Sequence, residues 1–219
     1  PQTLHLRNLA LVGGGAMGEA ILKGIVAAGL LPAENLFVGA HRPERAEYLR
    51  AAYGVTALTD NAAAVRDADL VILAVKPQMV NDALTPDVAA ALPDKAVILS
   101  IMGSVPIARL TGIFPGHAVI RAMPNTPLAV GAGMTALAPG DGVPADALED
   151  AKTIFGACGE VVVLQEKEIE AVTAVSGCGP GYVYILVDAL ADAGVMAGLP
   201  RATAIKLSLI HISEPTRPR

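Results

Sequence analysis

The chain has 219 residues, 53% hydrophobic, 17% charged and 3% aromatic, and 16 Lys and Arg against 21 Asp and Glu leave a net charge of −5. So apolar a chain buries enough surface to offset its ordering entropy, which excludes general disorder, and its acidic balance lacks the basic footprint of a nucleic-acid binder. With only Cys158 and Cys178 it is no disulfide scaffold, and two unpaired thiols suit a reducing cytoplasm.

Short apolar runs alternate with helical patterns through the first three quarters of the chain. Leu9–Val12 reads as a buried strand, Gly13–Gly18 as a turn, and Glu19–Ala28 as a helix closed by Gly29. A second strand is predicted over Asn35–Ala40, and Pro43 opens a helix that ends before Gly54. Leu70–Val75 is the kind of uninterrupted apolar run expected of a strand covered on both faces. Ala96–Leu99, Ala118–Ile120, Met134–Leu137 and Val161–Leu164 repeat that style, with a helix from Pro144 to Phe155. Strands separated by helices predict an α/β fold with a doubly wound, mostly parallel sheet.

The pattern changes after Leu164. Lys167–Val175 reads as helix, Ser176–Gly181 as a glycine-proline turn, and Tyr182–Ala197 as a helix charged only at Asp188 and Asp192. A helix apolar almost all round needs a covering surface. Gly198 stops it, and Pro200 starts a last helix to about Leu207. The divisions read from this are 1–165, 166–207 and a tail, 208–219, of different composition that is expected to lie outside the fold. The longest uncharged stretch, Ala122–Gly140, is broken by prolines and glycines, and the N-terminus lacks a basic-then-apolar leader pattern, so no membrane span or secretory signal is expected.

Gly13-Gly14-Gly15-Ala16-Met17-Gly18 satisfies G-x-G-x-x-G between a predicted strand and a predicted helix. In that context Gly13 permits the tight turn, Gly15 lets the backbone approach a diphosphate, and Gly18 allows close helix–strand packing. The helix N-terminus adds unpaired N–H groups. At the end of the second strand, His41 and Arg42 stand where a carboxylate would bind the ribose of NAD. The arrangement favours the 2′-phosphate of NADP, with NAD the alternative. Ala74, Val75, Lys76 and Pro77 end the next strand, and Ser100, Ile101 and Met102 the one after, in the layer where ligands of open parallel sheets lie.

Ser176-Gly177-Cys178-Gly179-Pro180-Gly181 leaves backbone bare before a helix, which suits a small carboxylate as well as an ordinary interhelical corner. His5, His41, His117 and His211 are scattered without metal-ligand spacing. No side chain presents itself as a general acid.

With these pieces in place, the chain resembles pyrroline-5-carboxylate reductases. The likeness runs through Gly13–Gly18, Ala74–Pro77, Arg121–Pro127 and above all Ala171–Tyr182, and continues over Asp188–Val195 and Gly198–Arg201. The resemblance implies an N-terminal Rossmann domain followed by the start of an all-helical dimerisation domain that interlocks with a second copy. It implies reduction of 1-pyrroline-5-carboxylate to proline, usually with NADPH. It also implies that Gly13, Gly15, Ala16, Met17, Gly18, His41, Arg42, Asn61, Ala74–Pro77 and Ser100–Met102 contact the cofactor, with Ser176, Gly177, Gly179 and Pro180 near the substrate. The tail beyond Leu207 departs from the family, and the family's later glycine-threonine segment has no counterpart here. A cofactor-binding fragment without turnover is therefore one alternative, and a β-hydroxyacid dehydrogenase another. Against the latter, Lys167 and Lys206 are the only lysines between Gly159 and Leu207, and neither follows the glycine turn.

Overall fold

The computed structural model describes residues 4–213, with side chains to Leu209. In chain order the elements are β1 (Leu9–Val12), α1 (Ala16–Ala27), β2 (Leu36–Gly39), α2 (Pro43–Tyr53), β3 (Thr56–Leu58), α3 (Asn61–Val65), β4 (Leu70–Leu73), α4 (Val80–Ala83), α5 (Pro86–Ala91), β5 (Val97–Ser100), α6 (Ile107–Ile113), β6 (Val119–Met123), β7 (Gly133–Pro139), α7 (Ala145–Gly156), β8 (Gly159–Val163), α8 (Ile169–Val172), α9 (Gly179–Met196) and α10 (Arg201–Ser213). The sheet has eight strands in the order β3-β2-β1-β4-β5-β6-β7-β8. Every neighbouring pair is parallel except β6 and β7.

Period-two alternation along β1 divides the core. Leu9 and Leu11 join the layer under α1 and α7, with Ile21, Ile25 and Phe155, whereas Ala10 and Val12 join Val71, Leu73, Leu110 and Phe114 on the opposite face. Both faces are therefore covered, which is why β1, β4 and β5 read as unbroken apolar runs. Strand β3 is absent from the sequence reading. It has three residues, two of them half-buried, at the sheet edge, so no apolar run announces it.

The helical segment differs from expectation in two places. The turn predicted over Ser176–Gly181 does not break the chain's course: residues Thr173–Gly177 form a π-helical turn, in which the Cys178 N–H donates to the Thr173 carbonyl at 2.8 Å, and α9 begins at Gly179. The wider turn survives because the Thr173 and Ser176 hydroxyls bond back to the Ile169 and Val172 carbonyls, and because Pro180 sits in the first turn of α9, where its missing N–H is not needed. The last helix also continues past Leu207 to Ser213, since neither glycine nor proline interrupts the sequence before Pro215. The remainder of the expected tail, 214–219, lies outside the described residues. Helices α9 and α10 are joined by Arg201, whose guanidinium bonds both Asp188 and Asp192, the two charges of α9.

Much of α9 faces outward: Ile185 is 71% exposed and Tyr184 62%. The run Glu166–Met196 is long and apolar enough to cross a membrane by length and composition.

At the other end, buried Asp150 of α7 ties down the chain before β1. Its carboxylate accepts the His5 and Leu6 N–H groups at 2.9 Å each and faces His5 Nδ1 at 3.0 Å. The hydrogen bond with Asp150, and then its charge, raise the His5 pKa above the ordinary 6.5. A raised folded-state pKa contributes stability that is complete below the unfolded value and fades as pH rises through the folded one. Asp150→Ala is expected to lower the unfolding free energy by about 2 kcal/mol by leaving two N–H groups unpaired. Urea titrations at pH 6 and pH 8 check this: the gap between wild type and variant should narrow at pH 8.

Candidate functional site

The strand order reverses between β1 and β4, and that is where open parallel sheets bind ligands. The turn after β1 is built for this place. Gly13 has φ +113°, and a Cβ there would stand 2.6 Å from the Ala74 carbonyl oxygen at the end of β4. The Gly13 and Gly14 N–H groups both donate to the Gly39 carbonyl, at 3.0 and 3.1 Å, drawing the turn against β2. Gly18 lies behind, where a Cβ would fall 2.2 Å from the Gly13 carbonyl, so α1 rests directly on the turn. Around Gly15, by contrast, the space a Cβ would occupy is open.

A cleft of about 1100 Å³ opens here. Gly13, Gly15 and Ala16 form its floor, His41 and Arg42 reach it from the end of β2, Asn61 from the start of α3, and Ala74, Val75 and Lys76 from the end of β4. Asn61 is fixed by donating from Nδ2 to the Ala83 carbonyl at 3.1 Å. Gly15 caps α1 without any side-chain hydrogen bond, so the first N–H groups of this 12-residue helix have no capping acceptor. Open space beside Gly15, the uncapped N-terminus and the cationic corner fit a dinucleotide with its diphosphate on the turn.

The other expected cofactor residues do not line the cleft. Met17 packs against the core under α1, Gly18 is covered, and Pro77 begins a short 3₁₀ turn. Ser100 and Met102 are buried at the end of β5, with the Met102 N–H donating to Ser100 Oγ at 3.2 Å, and Ile101 is half-buried between them. Gly14, inside the expected Gly13–Gly18 turn, also lines the cleft, as do Glu19, Arg45 and Asp60, which the sequence does not single out. Arg45 was legible only as part of a helical surface, since its approach to the turn depends on how α2 crosses α1.

The segment of Ser176, Gly177, Gly179 and Pro180 lies at the carboxyl end of β6. Buried Asn125, just beyond β6, donates from Nδ2 to the Ser176 carbonyl at 3.0 Å and accepts the Met134 N–H at 2.9 Å. Met123 Cε stands 3.0 Å from the place of a Gly177 Cβ. One strand earlier, Ser100–Met102 occupies the same edge, so β5 separates the cleft at β1 and β4 from the π turn at β6. Arg121 of β6 is buried and reaches Glu170 at 2.9 Å and Glu166 at 3.5 Å. Glu166 in turn accepts the Ile107 N–H at 2.7 Å. Both free thiols are placed: Cys158 is buried, which raises its pKa, and Cys178 is exposed. No cluster of metal-binding side chains occurs among the described residues.

The fold and the cleft define a Rossmann-type dinucleotide-binding protein followed by a helical unit. Residues 8–103 match the family model described as NADP oxidoreductase, coenzyme F420-dependent, and residues 166–212 match pyrroline-5-carboxylate reductase dimerisation. The second match thus extends beyond Leu207, where the sequence alone places the end of the likeness. A pyrroline-5-carboxylate reductase of Synechocystis is 45% identical over 92% of this chain and 75% of its own length, and one of Mycobacterium tuberculosis 42% identical over 93% and 70%. A solved pyrroline-5-carboxylate reductase from Coxiella burnetii superposes with TM-score 0.87 at 30% identity, covering 94% of this chain and 77% of that one. The Plasmodium falciparum pyrroline carboxylate reductase with NADP bound gives 0.83 at 29%, covering 96% and 77%. This chain belongs to the pyrroline-5-carboxylate reductase family. A 3-hydroxyisobutyrate dehydrogenase of Mycobacterium tuberculosis, at TM-score 0.62 and 18% identity, shares the fold alone.

The two glycines of the turn are expected to respond differently to a methyl group. Gly13→Ala meets backbone and a left-handed φ, so stability should fall by about 2 kcal/mol and dinucleotide binding with it. Gly15→Ala meets open space at an extended φ of −76°, so stability should stay within about 0.5 kcal/mol while the methyl obstructs the diphosphate. Thermal melts with titration of NADPH separate the two outcomes.

Proposed function

We propose that this chain is the cofactor-binding and part of the substrate-binding portion of an NADPH-dependent reductase that converts 1-pyrroline-5-carboxylate to L-proline in the cytoplasm. The observation that carries it is the glycine turn at the switch point, continuous along one sheet edge with the π turn held by Asn125. Family membership supplies the substrate. In this reading residues 1–165 hold the cofactor, 166–207 begin the substrate and dimerisation unit, and α10 extends that unit to Ser213.

A nicotinamide held in the cleft would supply the hydride for reduction of the imine, whose carbon would take the hydride and whose own nitrogen a proton, turning C=N into CH–NH. Everything else is arrangement by the protein. The turn and the N-terminus of α1 would seat the diphosphate, and the Arg42 guanidinium, with His41 beside it, would bind the 2′-phosphate. Ala74, Val75 and Lys76, which line the cleft, would face the nicotinamide half, with Ser100–Met102 behind them at the end of the neighbouring strand. The segment of half-buried Ser176, Gly177, Gly179 and Pro180 would receive the substrate carboxylate, and Asn125 keeps it at a fixed distance from the strand ends, a proximity effect.

The outward apolar face of α9 packs against a second copy of the chain, which gives Tyr184 and Ile185 the burial they lack here. The match of this segment to a dimerisation family favours a protein partner over a lipid one.

Purified protein should oxidise NADPH when given pyrroline-5-carboxylate and not when given a 3-hydroxyacid's oxo product. NADPH binding without turnover would favour the reading of a cofactor-binding fragment over that of an active reductase. Arg42→Ala should weaken NADPH about tenfold with little change for NADH, the effect of losing one charge-assisted contact to the extra phosphate. Ile185→Glu should shift the sedimentation coefficient to that of a monomer; a wild-type monomer that instead partitions into liposomes would overturn the dimer.

A further inference from the structure

The glycine turn is clamped from outside by a side chain of the second helix. Arg45, in the first turn of α2, donates from Nε to the Gly14 carbonyl at 2.6 Å and from Nη2 to Glu19 in the first turn of α1. Glu19 also accepts the Tyr48 hydroxyl at 2.9 Å and the Tyr53 hydroxyl at 2.7 Å. The Arg45 guanidinium lies over the Tyr48 ring, 4.9 Å from its centre. One guanidinium thus joins the turn, α1 and α2.

Three glycines in succession make the freest backbone available, and nothing in their own side chains fixes the Gly14–Gly15 peptide. In a trans peptide the carbonyl and the following N–H point in opposite directions. Holding the Gly14 oxygen against Arg45 therefore fixes where the Gly15 N–H points. That N–H has no acceptor among the described residues, and Gly15 lines the cleft. Burial raises the Glu19 pKa, but the hydrogen bonds from Arg45, Tyr53 and Tyr48 outweigh it and hold the carboxyl below its usual range. Burial, with Glu19 beside it, pushes the Tyr53 hydroxyl up to about 12, so it remains a donor at any working pH.

We infer that Arg45 is a positioning residue for the cofactor: it orients the Gly14–Gly15 peptide so that the Gly15 N–H is preformed for the diphosphate, with Glu19 and the two tyrosines holding it in place. The inference rests on the reading of the cleft as a dinucleotide site. A diphosphate role differs from a 2′-phosphate role in which ligands it affects, and a forked donor differs from a point charge in whether lysine replaces it.

The test is the dissociation constant, by calorimetry, of NADPH, NADH, ADP and adenosine 2′-monophosphate. Arg45→Ala and Arg45→Lys should both weaken NADPH, NADH and ADP by the same factor, about tenfold for loss of a charged hydrogen bond and the order it imposes. Adenosine 2′-monophosphate should bind as before. Glu19→Gln, which keeps the hydrogen-bonding shape but loosens the clamp, should show a smaller loss with the same ligand pattern. Unchanged affinities overturn the inference, as does full rescue by lysine, and a loss confined to NADPH and adenosine 2′-monophosphate assigns Arg45 to the 2′-phosphate instead. If the wild type binds none of the four ligands, the dinucleotide reading fails and takes this inference with it.

Discussion

The approach of the Gly13 backbone to the Ala74 carbonyl governs the molecule's chemistry. No side chain larger than hydrogen fits between them, and the positive φ at Gly13 is what turns the chain from β1 toward α1 in so little space. The result is an α1 whose N-terminus opens onto the point where strand order reverses. Had the turn been wider, the helix dipole and its free N–H groups would have been displaced from the strand ends that must face the other half of a dinucleotide. The cationic corner, Asn61 and the clamp from α2 then refine a site whose position is already fixed by backbone contact.

The second half of the site is fixed by a different means. Side chains of β6 and its following loop, not close-packed glycines, tie the helical run to the sheet. Arg121 is buried between Glu166 and Glu170, and Asn125 grips the Ser176 carbonyl. Truncating a buried charged partner of this kind leaves the other groups unsatisfied, so these contacts define a relative position more than they add net stability. The consequence is that β6 carries the π turn while β1 and β4 carry the cleft, and the distance between them is set by the rigid sheet.

Most of the sheet was legible because its central strands are covered on both faces, which gives unbroken runs such as Leu70–Leu73. The glycine turn was legible because its spacing reports a steric demand on the backbone. Three things were not legible. Strand β3 is held by pairing with β2 and not by any apolar pattern of its own. The π turn looks in sequence like a breaker, because glycine and proline mark both interrupted helices and helix starts; only the back-bonding hydroxyls of Thr173 and Ser176 distinguish the cases. Arg45 and Glu19 are separated by 26 residues and meet only because α1 and α2 flank the same turn.

Burial divides the chain into two regimes. The sheet carries its own core: β1 is fully buried and both its faces are packed. Helix α9 is the opposite, apolar and largely outward, with only Ala191 buried. Its inward attachments are the contact with α10, secured by Arg201, and the π turn at its start. A helix in that condition gains its stability from what covers it. Because the π turn both leads into α9 and carries the Ser176 carbonyl held by Asn125, whatever orders α9 from outside also orders the backbone tied to β6. The covering of α9 and the Asn125 tie to β6 therefore share one element, whereas the cleft, built on the self-sufficient sheet, does not depend on it.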